Sequence, residues 1–161
     1  MGRYYEELDI GARIETPRRT VIDADISTFA GLTADFNPLH MDEVFAGESD
    51  FKGRITHGPM IVGMAFGLAS RAGLMDGTVL GLLDIAWTFK KPVRPGDTIA
   101  AAVTVLEKRL TKKPDRGVVT LQLDVLNQRD EVVQVGRAKV LVRRKEAAQS
   151  AADADSRNDM H

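Results

Sequence analysis

HGPMIVGMAFGLASRAGL, residues 57–74, is the stretch that predicts how the rest of the chain folds. From Pro59 to about Leu74, apolar residues occur on nearly every side of a helical projection, and a helix that is apolar all round is typical of a buried element. Gly63 and Gly67 lie four positions apart in it and would let another backbone come close. A buried helix requires other elements wrapped around it.

The sequence that follows alternates between apolar and polar residues, which is the pattern of strands with one buried face. The predicted strands are residues 79–90, 99–105, 119–125 and 132–142. In the last of them the apolar parity changes around Gly136, which suggests a β-bulge at that residue. The turns between the strands predict an antiparallel meander. One long buried helix enclosed by a curved antiparallel sheet makes an α+β protein with the hot-dog fold.

Shorter elements are predicted before the long helix. Residues 13–22 have the pattern of an edge strand that is interrupted by Pro17. Asp23 is a good N-cap for a helix that should end near Ala34, because the Asn-Pro pair that follows cannot easily continue it. Asp42 is expected to cap a second short helix.

Composition predicts a single domain over residues 1–144. A chain of 161 residues is long enough for one core, and 43% apolar and 28% charged residues are typical of a globular protein. Residues 145–161 contain no aromatic residue and no Ile, Leu or Val, so we expect a disordered tail there. A sheet of this kind has exposed edges, and the pairing of two copies along one edge predicts a homodimer.

Composition also disfavours several classes of function. The net charge of −1 provides no electrostatic argument for binding nucleic acid or an anionic membrane. The absence of cysteine excludes disulfides, thiolate metal sites and thiol nucleophiles. The first residues, MGRYYEELDIG, lack the apolar core of a secretory signal, and no apolar run is long enough to span a bilayer. We therefore expect a cytoplasmic protein without membrane attachment.

Residues 33–60 contain the side chains that are suited to chemistry. Asp35 follows the predicted helix end, where the helix dipole disfavours an anion, and this placement suits an acid that must hold or deliver a proton. His40 lies five residues on, across a turn formed by Asn37 and Pro38, so the two side chains could converge on one water molecule. An Asx turn with an incidental histidine is the alternative, and the pair alone does not decide between them.

The tripeptide His57-Gly58-Pro59 favours a catalytic site. Proline suits the first helical turn, and Gly58 presents its N–H at the positive end of the helix without a side chain to block access, as an oxyanion-hole donor would. A Gly-Pro helix start is common, but its combination with an acid and a base is not. The expected catalytic residues are Asp35, His40 and Gly58, and the expected substrate-binding residues are Asn37, His57, Pro59 and Met60.

Other side chains have simpler interpretations. A metal site made from Asp35, His40 and His57 has suitable ligand types, but no HxH or HExxH spacing supports it. Met64 and Trp87 are typical of a core, and the basic cluster within residues 90–94 is interpreted as a solvated strand end. No metal or organic cofactor is therefore expected.

The stretches FAGLTADFNPLH and ITHGPM resemble the MaoC-like dehydratases, a hot-dog family that includes the R-specific enoyl-CoA hydratases. The family pattern is a small residue followed by Asp-x-Asn-Pro-Leu-His, with a His-Gly pair downstream. The matching positions are Asp35, Asn37, Pro38, Leu39, His40 and Gly58. The chain departs at Ala34, where glycine is usual. The resemblance covers roughly residues 4–144, and WTFKKPVRPGD (residues 87–97) looks like the family's first long strand and turn.

By this resemblance, Asp35 and His40 are the catalytic pair, and the amide of Gly58 binds the thioester oxygen. The implied reaction is reversible syn addition of water to a 2-enoyl-CoA, which gives an (R)-3-hydroxyacyl-CoA, with coenzyme A as part of the substrate. Four alternatives stay open: a dehydratase for acyl groups on a carrier protein, one for short branched or carboxylated acyl thioesters, thioester hydrolysis, and a non-catalytic acyl-thioester binding module.

Overall fold

The computed structural model describes residues 1–145, which form helices and an antiparallel sheet. Before the long helix lie strands β1 (Arg13–Glu15) and β2 (Arg19–Thr20) and helices α1 (Asp23–Thr33), α2 (Pro38–Met41) and α3 (Glu43–Glu48). The long helix is α4 (Gly58–Arg71), and strands β3 (Val79–Phe89), β4 (Thr98–Leu110), β5 (Arg116–Leu126) and β6 (Val132–Arg143) follow it. This arrangement confirms the α+β, hot-dog prediction. Apart from Lys145, the predicted tail lies outside the described residues.

The first part of the chain agrees closely with the sequence pattern. Pro17 separates β1 from β2, as predicted. The prediction that Asp23 caps α1 is wrong by one residue, because Asp23 is the first helical residue and Ile22 is at the N-cap position. The carboxylate of Asp25 accepts the Ile22 N–H at 3.0 Å. Asp42 caps α3 as predicted, since its carboxylate accepts two backbone N–H groups of the first turn. None of the helices within residues 1–145 is long and apolar enough to cross a membrane.

The strands form a sheet in the order β1-β4-β5-β6-β3, with β2 also paired to β4. β4, β5 and β6 are the predicted meander. β3 pairs with β6 and not with β4, although β4 is the next strand in the chain. The connection from β3 to β4 passes the start of α4, where the N–H of Thr56 donates to the carbonyl of Val93 at 2.8 Å. β3 therefore lies at an edge of the sheet.

α4 packs against the inward face of the sheet along one side only. Its buried residues are Met60, Ile61, Ala65, Leu68 and Ala69. Gly63 and Gly67 are exposed and border a cavity of about 540 Å³ between α4 and α1. The prediction that this helix is buried on every side is thus wrong for the single chain, because the sheet covers one side and α1 only flanks the other.

The prediction of a bulge at Gly136 is also wrong. The register between β5 and β6 shifts at Val133, and Gly136 pairs regularly with Leu123 on one side and Trp87 on the other. A Cβ atom on Gly136 would collide with the indole ring of Trp87. Glycine is required at this position because the ring lies directly over the backbone.

Candidate active site

The end of α1 positions Asp35. Ala34 has a left-handed backbone (φ 59°), which glycine adopts most easily, and this is the position where MaoC-like sequences usually have glycine. The carboxylate of Asp35 is half exposed and accepts the N–H of Asn37 at 3.3 Å. The side chain of Asn37 caps α2 by accepting the N–H of Leu39 at 3.0 Å. The Asn-Pro turn therefore has a structural function, which is to begin α2.

His40 lies in the single turn of α2 and is oriented by a backbone carbonyl. Its Nδ1 is 2.9 Å from the carbonyl oxygen of Ile55. Because a carbonyl can only accept a hydrogen bond, Nδ1 carries the hydrogen and Nε2 keeps a lone pair. The N–H of Ile55 donates in turn to the carbonyl of Leu39 at 3.2 Å. His40 is thus held in the tautomer that can accept a proton at Nε2.

His57 is buried behind the acid and the base, with 1% of its surface exposed. Its Nε2 lies 2.9 Å from the backbone carbonyl oxygen of Asp35 and 4.0 Å from the Asp35 carboxylate. Its ring centroid is 3.9 Å from that of His40 and 5.0 Å from that of Phe29. Its Nδ1 has no hydrogen-bond partner among the described residues. His57 therefore contacts both members of the predicted catalytic pair from the interior.

The structure brings Asp35, His40 and His57 together. One nitrogen or oxygen atom from each lies within 4.8 Å of the other two. Two groups that bind the same water molecule are typically about 4.5–5 Å apart, so this spacing suits a shared water. In the part of the chain that is described, the same three residues are the group that could hold a metal ion. Nε2 of His57 carries its hydrogen toward a carbonyl, so the lone pair of this ring is at Nδ1.

Gly58 is the first residue of α4, and the preceding His57 provides no side-chain cap. The first N–H groups of a helix have no acceptor within it, and that of Gly58 makes no hydrogen bond within residues 1–145. Gly58 lines a cavity of about 350 Å³ together with His40, Phe89 and Gln134. A Cβ atom at residue 58 would lie 2.8 Å from the Phe89 ring. A side chain at residue 58 would therefore displace the Phe89 ring or the first turn of α4.

The predicted substrate-binding residues lie at different places around this site. Asn37 is exposed in the capping turn, and Pro59 is exposed in the first turn of α4. Met60 is buried and lines the larger cavity between α1 and α4. His57 is the one of the four that contacts both Asp35 and His40.

The basic cluster beside the cavity is largely engaged in contacts within the chain. Lys91 lies 3.0 Å from Glu131, and Arg94 donates to the backbone carbonyl of Phe51. Hydrogen bonds from Asn127, Lys91 and Arg129 lower the pKa of Glu131 to about 2. These contacts connect the turn between β5 and β6 to the wall of the cavity.

Sequence reasoning missed Gln134. It is 3% exposed on β6 and lines the same cavity as His40 and Gly58. The signal was present in the sequence: Ala138, Val140 and Val142 are buried, and continuing this alternation toward the amino end of β6 places residue 134 on the inward face. The assumption of a bulge at Gly136 hid that signal.

Comparisons with known proteins identify the family of this chain. The family described as the MaoC like domain matches residues 7–127. Protein MaoC of Klebsiella aerogenes is 40% identical over 115 residues, which are 71% of this chain, and the chain spans only 33% of that longer protein. The (R)-specific enoyl-CoA hydratase of Aeromonas caviae is 30% identical over 135 residues, which cover 84% of this chain and 96% of the relative.

A solved structure agrees as well. The crystal structure of the MaoC-like dehydratase from Rhodospirillum rubrum superposes with a TM-score of 0.81 at 38% identity, covering 89% of this chain and 99% of that one. The family model matches most of the length of this chain, and the turn from Asp35 to His40 lies beside the start of α4. The chain therefore belongs to the MaoC-like domain family.

Proposed function

We propose that this chain adds water reversibly to a 2-enoyl-CoA and so forms an (R)-3-hydroxyacyl-CoA. The supporting observation is that an acid lies beside a base, and that this base lines the same cavity as an unpaired backbone N–H. Asp35 and His40 lie within 4.8 Å of each other, and Gly58 lines the same cavity as His40. The name of the Aeromonas caviae relative, (R)-specific enoyl-CoA hydratase, supports the same chemistry.

In the proposed reaction, one water molecule lies between the carboxylate of Asp35 and Nε2 of His40. One of these groups, unprotonated at the start, accepts a proton from the water while the water oxygen bonds to C3 of the enoyl group. The other, protonated at the start, delivers its proton to C2, and transfer of the accepted proton to it restores the starting state. Positioned acids and bases contribute roughly 100- to 10,000-fold each to such rates. Because both groups approach one side of the double bond, the addition is syn.

The negative charge that develops during the addition collects on the thioester oxygen. The N–H of Gly58, at the positive end of α4, stabilises this enolate oxygen. The chain's own groups provide the proton transfers and the charge stabilisation. The proposed reaction therefore requires no metal, flavin or nicotinamide, and coenzyme A takes part as a portion of the substrate.

The four residues expected to bind substrate have different parts in this proposal. His57 supports the pair from behind, by holding the backbone of Asp35 and packing on the ring of His40. Asn37 shapes the turn that carries the pair. Pro59 and Met60 form the first turn of α4, and Met60 extends the site toward the second cavity.

The proposed assembly is a homodimer formed through β3. β3 ends the strand order, so one of its edges has no partner strand within residues 1–145. Apolar residues of this strand are also exposed to solvent. The exposed fractions are 51% for Leu82, 53% for Leu83, 42% for Ile85 and 55% for Phe89. An unpaired edge with apolar side chains favours pairing with a second copy, and a twofold axis is the commonest way to close such a contact.

Turnover of crotonyl-CoA tests the proposed function. We expect the enone absorbance to disappear and the product to be oxidised by an R-specific, but not by an S-specific, 3-hydroxyacyl-CoA dehydrogenase. Release of free thiol would instead identify a hydrolase. A thermal shift with crotonyl-CoA but no turnover would identify a binding module. Faster turnover of crotonyl groups on a carrier protein would identify a carrier-protein dehydratase.

A further inference from the structure

Gln134 places a primary amide inside the sheet, at a position where an apolar residue would ordinarily lie. It is 3% exposed, and the next inward-facing side chains along β6, Ala138, Val140 and Val142, are all apolar. Burying an amide costs free energy unless its hydrogen bonds are made. The contacts of this amide therefore indicate what it does.

The amide of Gln134 connects the sheet to the start of α4. The indole N–H of Trp87 donates to Oε1 of Gln134 at 2.8 Å, and Nε2 of Gln134 faces the carbonyl oxygen of Gly58 at 3.4 Å. Because an indole N–H can only donate, the oxygen of the amide is the atom that faces Trp87 and the nitrogen is the atom that faces Gly58. Trp87 is itself held in place by its contact with Gly136.

The start of α4 has few hydrogen bonds of its own. No side chain caps its N-terminus, and the N–H of Met60 closes the first turn by donating to the carbonyl of His57 at 3.2 Å. Gln134 approaches this turn from β6, which is far away in sequence. The hydrogen bond from Gln134 to Gly58, at 3.4 Å, is longer than the usual 2.9–3.0 Å, so we expect it to add little to global stability. Its expected effect is on the orientation of the first turn of α4.

We propose that Gln134 is a positioning residue for the reaction. Held by Trp87, it fixes the first turn of α4 so that the N–H of Gly58 is directed into the cavity beside His40. This role rests on the hydratase function proposed above. An oxyanion donor acts only if it faces the place where charge develops, so loss of the anchor lowers kcat more than it alters KM. For one neutral hydrogen bond, we expect a roughly three- to tenfold effect.

The test compares Gln134→Met with Gln122→Met. Methionine has a similar length but no amide, and Gln122 is a half-buried amide on β5 that hydrogen bonds to Asp124 at 3.0 Å and 3.3 Å. We expect Gln134→Met to lower kcat about three- to tenfold, with KM changed less than twofold, and Gln122→Met to leave both unchanged. The loss should be equal for enoyl-CoAs with four, six and eight acyl carbons, because the thioester end is common to all of them.

A second variant removes the other end of the same contact. Trp87→Phe deletes the N–H that orients the amide, so the double variant Trp87→Phe/Gln134→Met should be no slower than the slower single variant. The amide resonance of Gly58 should shift in Gln134→Met and in Trp87→Phe, but not in Gln122→Met. This readout does not depend on activity, and if one of the two variants folds poorly, the other still tests the contact.

Three results would overturn the role of Gln134. One is an unchanged kcat in Gln134→Met, and another is an unshifted Gly58 resonance. The third is a loss that varies with acyl length, which would make Gln134 a wall of the acyl compartment. A wild-type chain that turns over no enoyl thioester would reject the proposed function and this role together. Wild-type turnover combined with any of the three results rejects only the role.

Discussion

At the scale of residues, two backbone carbonyls orient the two histidines of the site. His40 directs Nδ1 to the carbonyl of Ile55, and His57 directs Nε2 to the carbonyl of Asp35. The hydrogen bond made by one ring nitrogen decides what the other can do, so the lone pair of His40 is fixed at Nε2. The acid and the base are therefore positioned by the main chain and do not depend on a direct bond to each other.

Asp35→Asn and His40→Gln test the catalytic pair. Each should lower kcat/KM by roughly 100- to 10,000-fold, because each removes a proton-transfer group. The fold should change little, since the new asparagine side chain keeps an oxygen for the N–H of Asn37 and glutamine is close to histidine in volume. The double variant should be little slower than the slower single one, because both groups act on one water.

Steady-state kinetics and a thermal melt of each preparation provide the measurement for the catalytic pair. Asp50→Asn is the matched control, since Asp50 is exposed on a nearby loop. Should either Asp35→Asn or His40→Gln keep more than about a tenth of the wild-type rate, that residue has no part in the proton transfers.

Gly58→Ala tests the start of α4. The new Cβ would lie 2.8 Å from the ring of Phe89, so the turn or the ring must move. We expect kcat/KM to fall by around 100-fold, because small misplacements near reacting atoms have effects of that size. Gly63→Ala is the control for stability, since its Cβ meets nothing within 4 Å, and it should raise the melting temperature.

The double variant Gly58→Ala/Phe89→Leu separates packing from chemistry, because it makes room for the new methyl group. It should recover the melting temperature but not the full rate. A Gly58→Ala variant with the wild-type kcat/KM would contradict the requirement for glycine beside the reacting atoms.

At the scale of elements, Glu131 connects the turn between β5 and β6 to the segment after β3. Hydrogen bonds from Asn127, Lys91 and Arg129 lower its pKa from 4.5 to about 2. A carboxylate whose pKa is lowered by folding stabilises the folded state above pH 4.5, and this stabilisation is lost as the pH falls toward 2. Because the group is in contact with solvent, the effect is small.

Glu131→Gln should therefore melt at a lower temperature than the wild type at pH 7. The difference between the two proteins should shrink as the pH falls from 4.5 toward 2, because the wild-type carboxylate then becomes protonated. Melts over a pH series measure this, with Glu107→Gln on the exposed end of β4 as the control. A difference that stays constant down to pH 2 would contradict the assigned role of the Glu131 charge.

At the scale of the whole molecule, one edge of β3 has no partner strand within residues 1–145. Ile85→Lys should convert a dimeric wild type to a monomer, because it places a charge among the exposed apolar side chains of that edge. Light scattering after size-exclusion chromatography measures the mass. Leu110→Lys, at a residue 58% exposed on the end of β4, is the control and should remain a dimer. A monomeric wild type would reject the proposed assembly.

Local features of the sequence determined much of this protein. The apolar run after Pro59 predicted α4, the Asn-Pro pair predicted the end of α1, and Asp42 predicted α3. Alternation predicted all four long strands. These signals depend on neighbours within a few residues, through helix caps, proline geometry and side-chain period, so they can be read without knowing the fold. The turn formed by Asn37 and Pro38 between Asp35 and His40 can likewise be predicted from neighbouring residues alone.

Only the tertiary structure decided which distant residues meet. The pairing of β3 with β6 brings Trp87 over Gly136 and makes glycine necessary there. A register shift at Val133 buries this residue next to the inward-facing Gln134, and one residue of error in such a shift reverses the face of every side chain beyond it. The burial of His57 likewise depends on α2 and α4 packing together. Contacts of this kind arise from long-range pairing, for which neighbouring residues carry no signal.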